Sequence, residues 1–114
     1  MNSSEDWTSQ VRRGIIDFCV LTLVSQKPTY GYELVTTLSK WGQLAATEGT
    51  VYPLLRRLQK DLLIKSSWIE SEAGPPRKYY QLTSTGEDLL SRITDDWDSL
   101  VKAINELRHM GDEC

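Results

Sequence analysis

Thr47, Thr50 and Tyr52 carry hydroxyls, and Arg56, Arg57 and Lys60 carry cations, all within one short stretch of the 114-residue chain. Arg77 and Lys78 add an adjacent cationic pair further along. Groups of these types hold anions through charge-assisted hydrogen bonds, and an arginine can do so with two parallel bonds. Bond-making chemistry has less to work with. His109 is the only histidine, and neither a phosphate-cradling glycine loop nor a convincing nucleophile is present, so no catalytic residue and no cofactor is expected. Cys19 and Cys114 are the only cysteines. A metal sensor needs clustered His, Cys and carboxylates, and His109 with Cys114 near the chain end makes a poor set.

The elements that must position these groups can be read from periodicity. Val51, Leu54, Leu55, Leu58 and Leu62 recur at spacings of three and four, which places them on one face of a helix. Gly49, Pro53, Arg56 and Lys60 fall on the opposite face with Arg57 beside them, while Glu48 and Asp61 lie away from its centre. Such a helix can bury one side and set the other in a DNA major groove, where cations and hydroxyls meet phosphates and base edges and Pro53 can touch a thymine methyl. Alone, the same pattern also fits a solvated surface helix. Pro53 leaves two starts open. A helix begun at Glu48 loses one backbone hydrogen bond there, whereas an N-cap at Thr50 puts Pro53 in the first turn, where little is lost.

The surrounding pattern favours the groove-binding reading. Residues 1–6 are polar and expected to fray. From Trp7 to about Ser25, Val11, Ile15, Phe18, Cys19 and Thr22 share a helix face, and Ile16, Val20, Leu21, Leu23 and Val24 fill much of the remainder. A helix apolar nearly all round is covered on several sides, which in so small a chain points to a second subunit. Asp17 is the odd residue in this run. Lys27-Pro28 breaks the helix, Thr29 is the expected N-cap of the next, and Tyr30, Leu34, Leu38 and Trp41 form its stripe, with Gly31 expected to admit another backbone. Gly42–Ala46 connects to Thr47, the expected cap of the cationic helix. That order matches a helix-turn-helix.

Leu62–Ser71 then reads as extended, Glu72–Pro76 as a turn and Arg77–Thr83 as a returning strand, a hairpin with basic residues just past its tip. Ser84-Thr-Gly-Glu87 is a candidate capping box for a last helix from about Thr85 to Met110. Its residues Leu90, Ile93, Trp97, Leu100, Ile104 and Leu107 make a heptad seam. The expected partner of that seam is another copy of the chain.

A chain this long holds one modest core. Its apolar fraction of 39% and four tryptophans indicate a folded protein. Apolar runs fall short of the roughly 20 residues of a membrane span, the N-terminus lacks the form of a signal peptide, and no Cys19–Cys114 disulfide is expected, which together point to the cytoplasm. Net charge is −3, divided as −1 over residues 1–26, +3 over 27–83 and −5 over 84–114. A basic centre with an acidic tail suits one surface turned to DNA and another turned away. The expected fold is mainly α with a small β-hairpin wing: a winged helix-turn-helix over residues 1–83 and a long dimerisation helix over 84–114.

Tyr30-Gly-Tyr-Glu-Leu34, Gly49-Thr-Val-Tyr-Pro-Leu-Leu-Arg-Arg-Leu58 and Arg77-Lys-Tyr-Tyr-Gln-Leu-Thr83 followed by Gly86 resemble, in this order and spacing, the PadR family of bacterial transcriptional regulators. The resemblance spans about residues 11–110, and the short C-terminal part is similar to the family's compact branch. It implies a homodimer built by the first and last helices, binding to double-stranded operator DNA with inverted-repeat half-sites, and repression relieved by a small, often aromatic, ligand. In such relatives the ligand lies between subunits, where a terminal-helix Trp corresponds to Trp97 and first-helix positions correspond to Gly14, Asp17 and Phe18. Asp17 departs from the neutral residue of drug-binding relatives. A winged-helix protein-interaction module that does not touch DNA is the competing reading, since the acidic total charge permits it.

Overall fold

The helix α3 (Glu48–Lys60) supplies the floor of the core, burying Val51, Leu54, Leu55 and Leu58 along one face. The computed structural model describes the backbone of residues 4–113 and the side chains of residues 6–111; Cys114, and with it any Cys19–Cys114 or His109–Cys114 pair, lies outside the described residues. Around α3 stand α1 (Ser4–Gln26), β1 (Thr29–Tyr30), α2 (Gly31–Ser39), β2 (Ile64–Ser71), β3 (Gly74–Leu82) and α4 (Ser84–His109). Single 3-10 turns at Gly42–Leu44 and Met110–Glu113 complete the chain. Ile16, Val20, Leu21 and Val24 of α1, Leu34 and Leu38 of α2, Ile64 of β2, and Tyr80 and Leu82 of β3 close over the α3 face. This is a mainly helical winged helix with a three-stranded antiparallel sheet in the order β1-β3-β2.

Several local expectations are corrected. Residues 4–6, expected to fray, continue α1. Thr29 does not cap α2. It pairs with Tyr80 of β3, as Tyr30 pairs with Tyr79, and its hydroxyl donates to the Lys27 carbonyl at 2.8 Å. So short a strand forms because β3 presents an open row of backbone donors and acceptors, a partner fifty residues away that no local pattern reveals. Trp41 lies past the end of α2 and is exposed, while Leu34 and Leu38 alone carry the buried stripe of that helix. Gly31 admits a ring, not a backbone: a Cβ there would collide with Tyr52.

α3 begins at Glu48. The Thr47 carbonyl accepts from the N–H groups of Thr50 and Val51, both at 3.0 Å, and the Thr47 hydroxyl makes no capping bond. Pro53 therefore sits in the second turn and leaves the Gly49 carbonyl without its helical donor. Both residues are exposed, so water can serve that carbonyl. At the other end Leu62 is not part of the apolar face. The Leu62 N–H donates to the Gln59 carbonyl and the Leu63 N–H to the Leu58 carbonyl, each at 3.0 Å, the two bonds of a Schellman close. That close puts Leu62 in the left-handed region, with φ 62°, and swings its side chain out to 71% exposure.

The wing is longer than its sequence implies. Ser71 pairs with Gly74 across a two-residue turn, so Pro75 and Pro76 lie within β3. They are tolerated because β1 covers β3 only at Tyr79 and Tyr80 and an irregularity in β2 falls between Ile69 and Ser71. The α4 cap sits one residue earlier than expected. The Thr83 hydroxyl accepts from the Gly86 N–H at 3.0 Å and donates to the Leu62 carbonyl at 2.6 Å, while the Thr83 N–H donates to the Leu63 carbonyl at 3.1 Å. Thr83 thus ties the start of α4 to the turn that ends α3.

The α4 seam divides in two. Leu90 and Ile93 pack, with Leu89, against the core of their own subunit. The Trp97 ring meets Phe18 of α1, centroids 5.9 Å apart and tilted by 54°. Beyond it, Leu100, Val101, Ile104, Leu107 and Met110 are exposed.

Candidate nucleic-acid interface

The outward side of α3 presents Gly49, Thr50, Pro53, Arg56, Arg57 and Lys60, all exposed. Successive helical residues turn by about 100°, so this face has two flanks. Tyr52 and Arg56 look toward the wing; Thr47, Thr50 and Arg57 look toward α1.

On the wing flank Tyr52 leaves the open face, and its ring lies against Gly31. Burial, then the nearby Glu48 carboxylate, pushes the Tyr52 phenol above its ordinary range. Burial and the neighbouring Tyr52 also push the Tyr80 phenol up, with Arg56 pulling it the other way. Both phenols stay protonated at neutral pH and keep an O–H to donate. Arg77 is held with its guanidinium carbon 4.6 Å from the centre of the Tyr30 ring, and Tyr30 meets Tyr79 edge-on at 5.3 Å. The Lys78 ammonium sits 5.7 Å from the Tyr80 ring. Cations over aromatic faces gain electrostatic attraction and lose freedom. Between α3 and the wing, Tyr30, Tyr52, Tyr80, Arg77 and Lys78 enclose a recess of about 470 Å³, to which Tyr32 and Trp68 also contribute. Sequence reasoning missed both. Trp68 was accessible to it, because it falls opposite Lys78 in the hairpin register.

On the α1 flank an Arg57 Nη donates to an Asp17 carboxylate oxygen at 3.0 Å. With the side chains 58% and 40% exposed, water screens the pair and it contributes little to stability. The pairing also sorts the residues expected around a ligand. Phe18 and Trp97 come together, and Gly14, one turn before Phe18, has open space where a side chain would be. Asp17 is engaged away from them, on α3. Burial and the Asp17 charge push the Cys19 thiol up, so it is a weak nucleophile.

Residues 20–92 match the model of the transcriptional regulator PadR-like family. The chain belongs to this family. A PadR-like transcriptional regulator from Bacillus cereus is 40% identical, with 86% of this chain and 95% of that one covered and a TM-score of 0.79. A Streptococcus transcriptional regulator is 38% identical, covering 87% and 97% of the two chains, also with a TM-score of 0.79. An uncharacterized protein from Lysinibacillus sphaericus is 31% identical over 99 residues, 85% of this chain and 91% of its own. PadR-like proteins are transcriptional regulators, not enzymes; they bind DNA and typically dimerise. Among the described residues, no helix is long and apolar enough to cross a membrane.

Proposed function

We propose that this PadR-like protein is a homodimeric repressor that acts on the chromosome in the cytoplasm. Residues 1–83 form its DNA-binding unit and residues 84–114 its dimerisation helix, whose first turns also complete the core. The observation that carries this reading is the exposed face of α3, where Pro53, Arg56, Arg57 and Lys60 stand together without an acid at their centre, beside the wing cations Arg77 and Lys78. Two such helices, one per subunit, would read half-sites of an inverted repeat roughly 34 Å apart. Thr47, Thr50 and Tyr52 supply hydroxyls to phosphates or base edges, and Pro53 meets a thymine methyl.

Each phosphate contact releases counterions and contributes about 0.9 to the slope of log K against log salt. Alanine at Lys60 or Lys78 is therefore expected to flatten the slope by about 0.9 for operator and unrelated duplexes alike, measured by fluorescence anisotropy. An arginine that reads guanine instead loses about 1–3 kcal/mol at one base-pair position. Unchanged slope and affinity in every variant would remove α3 from the interface and leave the protein-interaction reading.

The effector proposed for the dimer seam is a small planar aromatic molecule seated against Trp97 and Phe18, with Gly14 leaving room beside them. Tilted and offset ring contacts of this kind favour flat apolar guests. Asp17 would face such a guest only after leaving Arg57, and would then favour one that donates a hydrogen bond, a phenol or an amine. Trp97→Phe is expected to weaken a DNA-releasing ligand by about tenfold, of the order of one lost aromatic contact. Comparing both proteins by titration of DNA release separates Trp97 from Trp7, Trp41 and Trp68. Equal release in the two would take Trp97 out of the site.

A further inference from the structure

A second cleft opens on the flank of α3 that faces away from the wing. It lies between the N-terminal half of α1 and the start of α3 and encloses about 710 Å³. Arg12 and Arg13 line it from α1, Arg57 from α3, and Ser9, Thr47 and Thr50 add hydroxyls; no acid is among its lining residues. The three guanidiniums differ in their commitments. Arg12 Nε donates to the Gln43 carbonyl at 2.6 Å, which fixes the side chain, and its terminal nitrogens have no partner among the described residues. Arg57 is held by Asp17 at the margin. Arg13 is exposed and has no ion-pair partner among the described residues.

A helix about 10–12 Å across fills a major groove about 12 Å wide, so backbone phosphates run along both of its flanks. The wing cations serve one flank. On the other flank, Arg12 and Arg13 join Arg57 in this cleft, and Thr47, Thr50 and Arg57 make the cleft continuous with the reading face. We propose that the α1–α3 cleft seats a backbone phosphate of the bound DNA, with Arg13 and Arg12 of the first helix as its ligands and Arg57 exchanging Asp17 for that phosphate. The proposal rests on α3 being the reading helix. It extends the DNA footprint to the first helix, the same helix that carries Phe18 against Trp97, so that a shift of α1 moves a phosphate ligand directly. Asp17 then acts as a restraint. It occupies Arg57 while DNA is absent and places one negative charge beside the incoming phosphate.

The test uses the full chain and measures log K against log salt on operator and unrelated duplexes for wild type, Arg13→Ala, Asp17→Asn and Arg56→Ala. Arg13 is exposed, so its removal leaves the helix intact. Arg13→Ala is expected to flatten the slope by about 0.9 and to weaken both duplexes equally. Asp17→Asn is expected to bind both duplexes more tightly than wild type. A slope unchanged by Arg13→Ala, or an Asp17→Asn protein that binds no more tightly, overturns the phosphate seat. Arg56→Ala separates the two levels: if it loses affinity while Arg13→Ala does not, this seat alone is wrong. If neither changes anything, the reading face itself falls.

Discussion

Leu100→Glu is expected to convert the protein to a monomer and to cut operator affinity by two to four orders of magnitude. Leu100 is 57% exposed and Leu107 68% exposed in the single chain, and Val101 and Ile104 lie exposed between them. This row continues along α4 past Trp97, which meets Phe18 of its own subunit. A charge introduced into the middle of such a row costs the isolated subunit almost nothing, because the position already sees water. In a two-fold dimer the same charge is buried twice and faces its own copy, losing hydration without a partner. The loss of affinity follows from linkage. Two reading helices held by one dimer bind their second half-site intramolecularly, an advantage of about 10²–10⁴ that separate subunits do not have. Sedimentation at micromolar concentration should give twice the 13.0 kDa chain mass for wild type and the single mass for the variant, with helical circular dichroism retained. A variant that still sediments as wild type would place the dimer contact elsewhere.

What could be read from residues alone divides along a physical line. Val51, Leu54, Leu55 and Leu58 fell at helical spacing because one face of α3 meets the core and the other does not, and the structure buries those four. Leu62 kept the period but not the helix. Its left-handed turn is set by backbone hydrogen bonds to Leu58 and Gln59, and without the usual glycine nothing in the sequence marks it. β1 was invisible for a related reason, since two residues carry no period and their pairing is decided by Tyr79 and Tyr80. At the site, the residue types on the exposed face of α3 were legible and their partners were not. That Asp17 holds Arg57, and that Tyr52 rests on Gly31, are meetings between distant elements. The anomaly of Asp17 was visible in its apolar run; its resolution required the approach of α1 to α3. The first turns of α4 show one spacing serving more than one packing. A heptad pattern suggested one continuous intersubunit seam, and on that same spacing the partly buried Leu90 and Ile93 also pack against the core of their own subunit.

Gly86→Ala is expected to destabilise the fold by about 1–3 kcal/mol, the range for an overpacked site, and Gly86→Val by more. Helix propensity alone predicts the opposite sign, because alanine in a helix is favoured over glycine by about 1 kcal/mol. The contact decides. A Cβ at Gly86 would collide with the Leu63 carbonyl oxygen, a backbone atom that cannot rotate away. The same carbonyl accepts the Thr83 N–H, and the Gly86 N–H donates to the Thr83 hydroxyl, so any retreat of α4 breaks the cap and the tie to Leu62 together. A loss of 1 kcal/mol lowers Tm by roughly 4–8 °C in a domain near this size, well within reach of a thermal melt. A Gly86→Ala protein that melts at or above wild type would show that the close approach does not exist. The functional effect should exceed the thermal one. Thr83, Gly86 and Leu63 join the end of α3 to the start of α4, and in the proposed dimer that joint would fix where α3 stands relative to the two-fold axis. Two reading helices must match half-sites roughly 34 Å apart, so a displaced α4 misplaces both at once. Gly86→Ala measured well below its melting temperature is therefore expected to remain folded and dimeric yet bind operator more weakly, while its affinity for a single half-site is preserved.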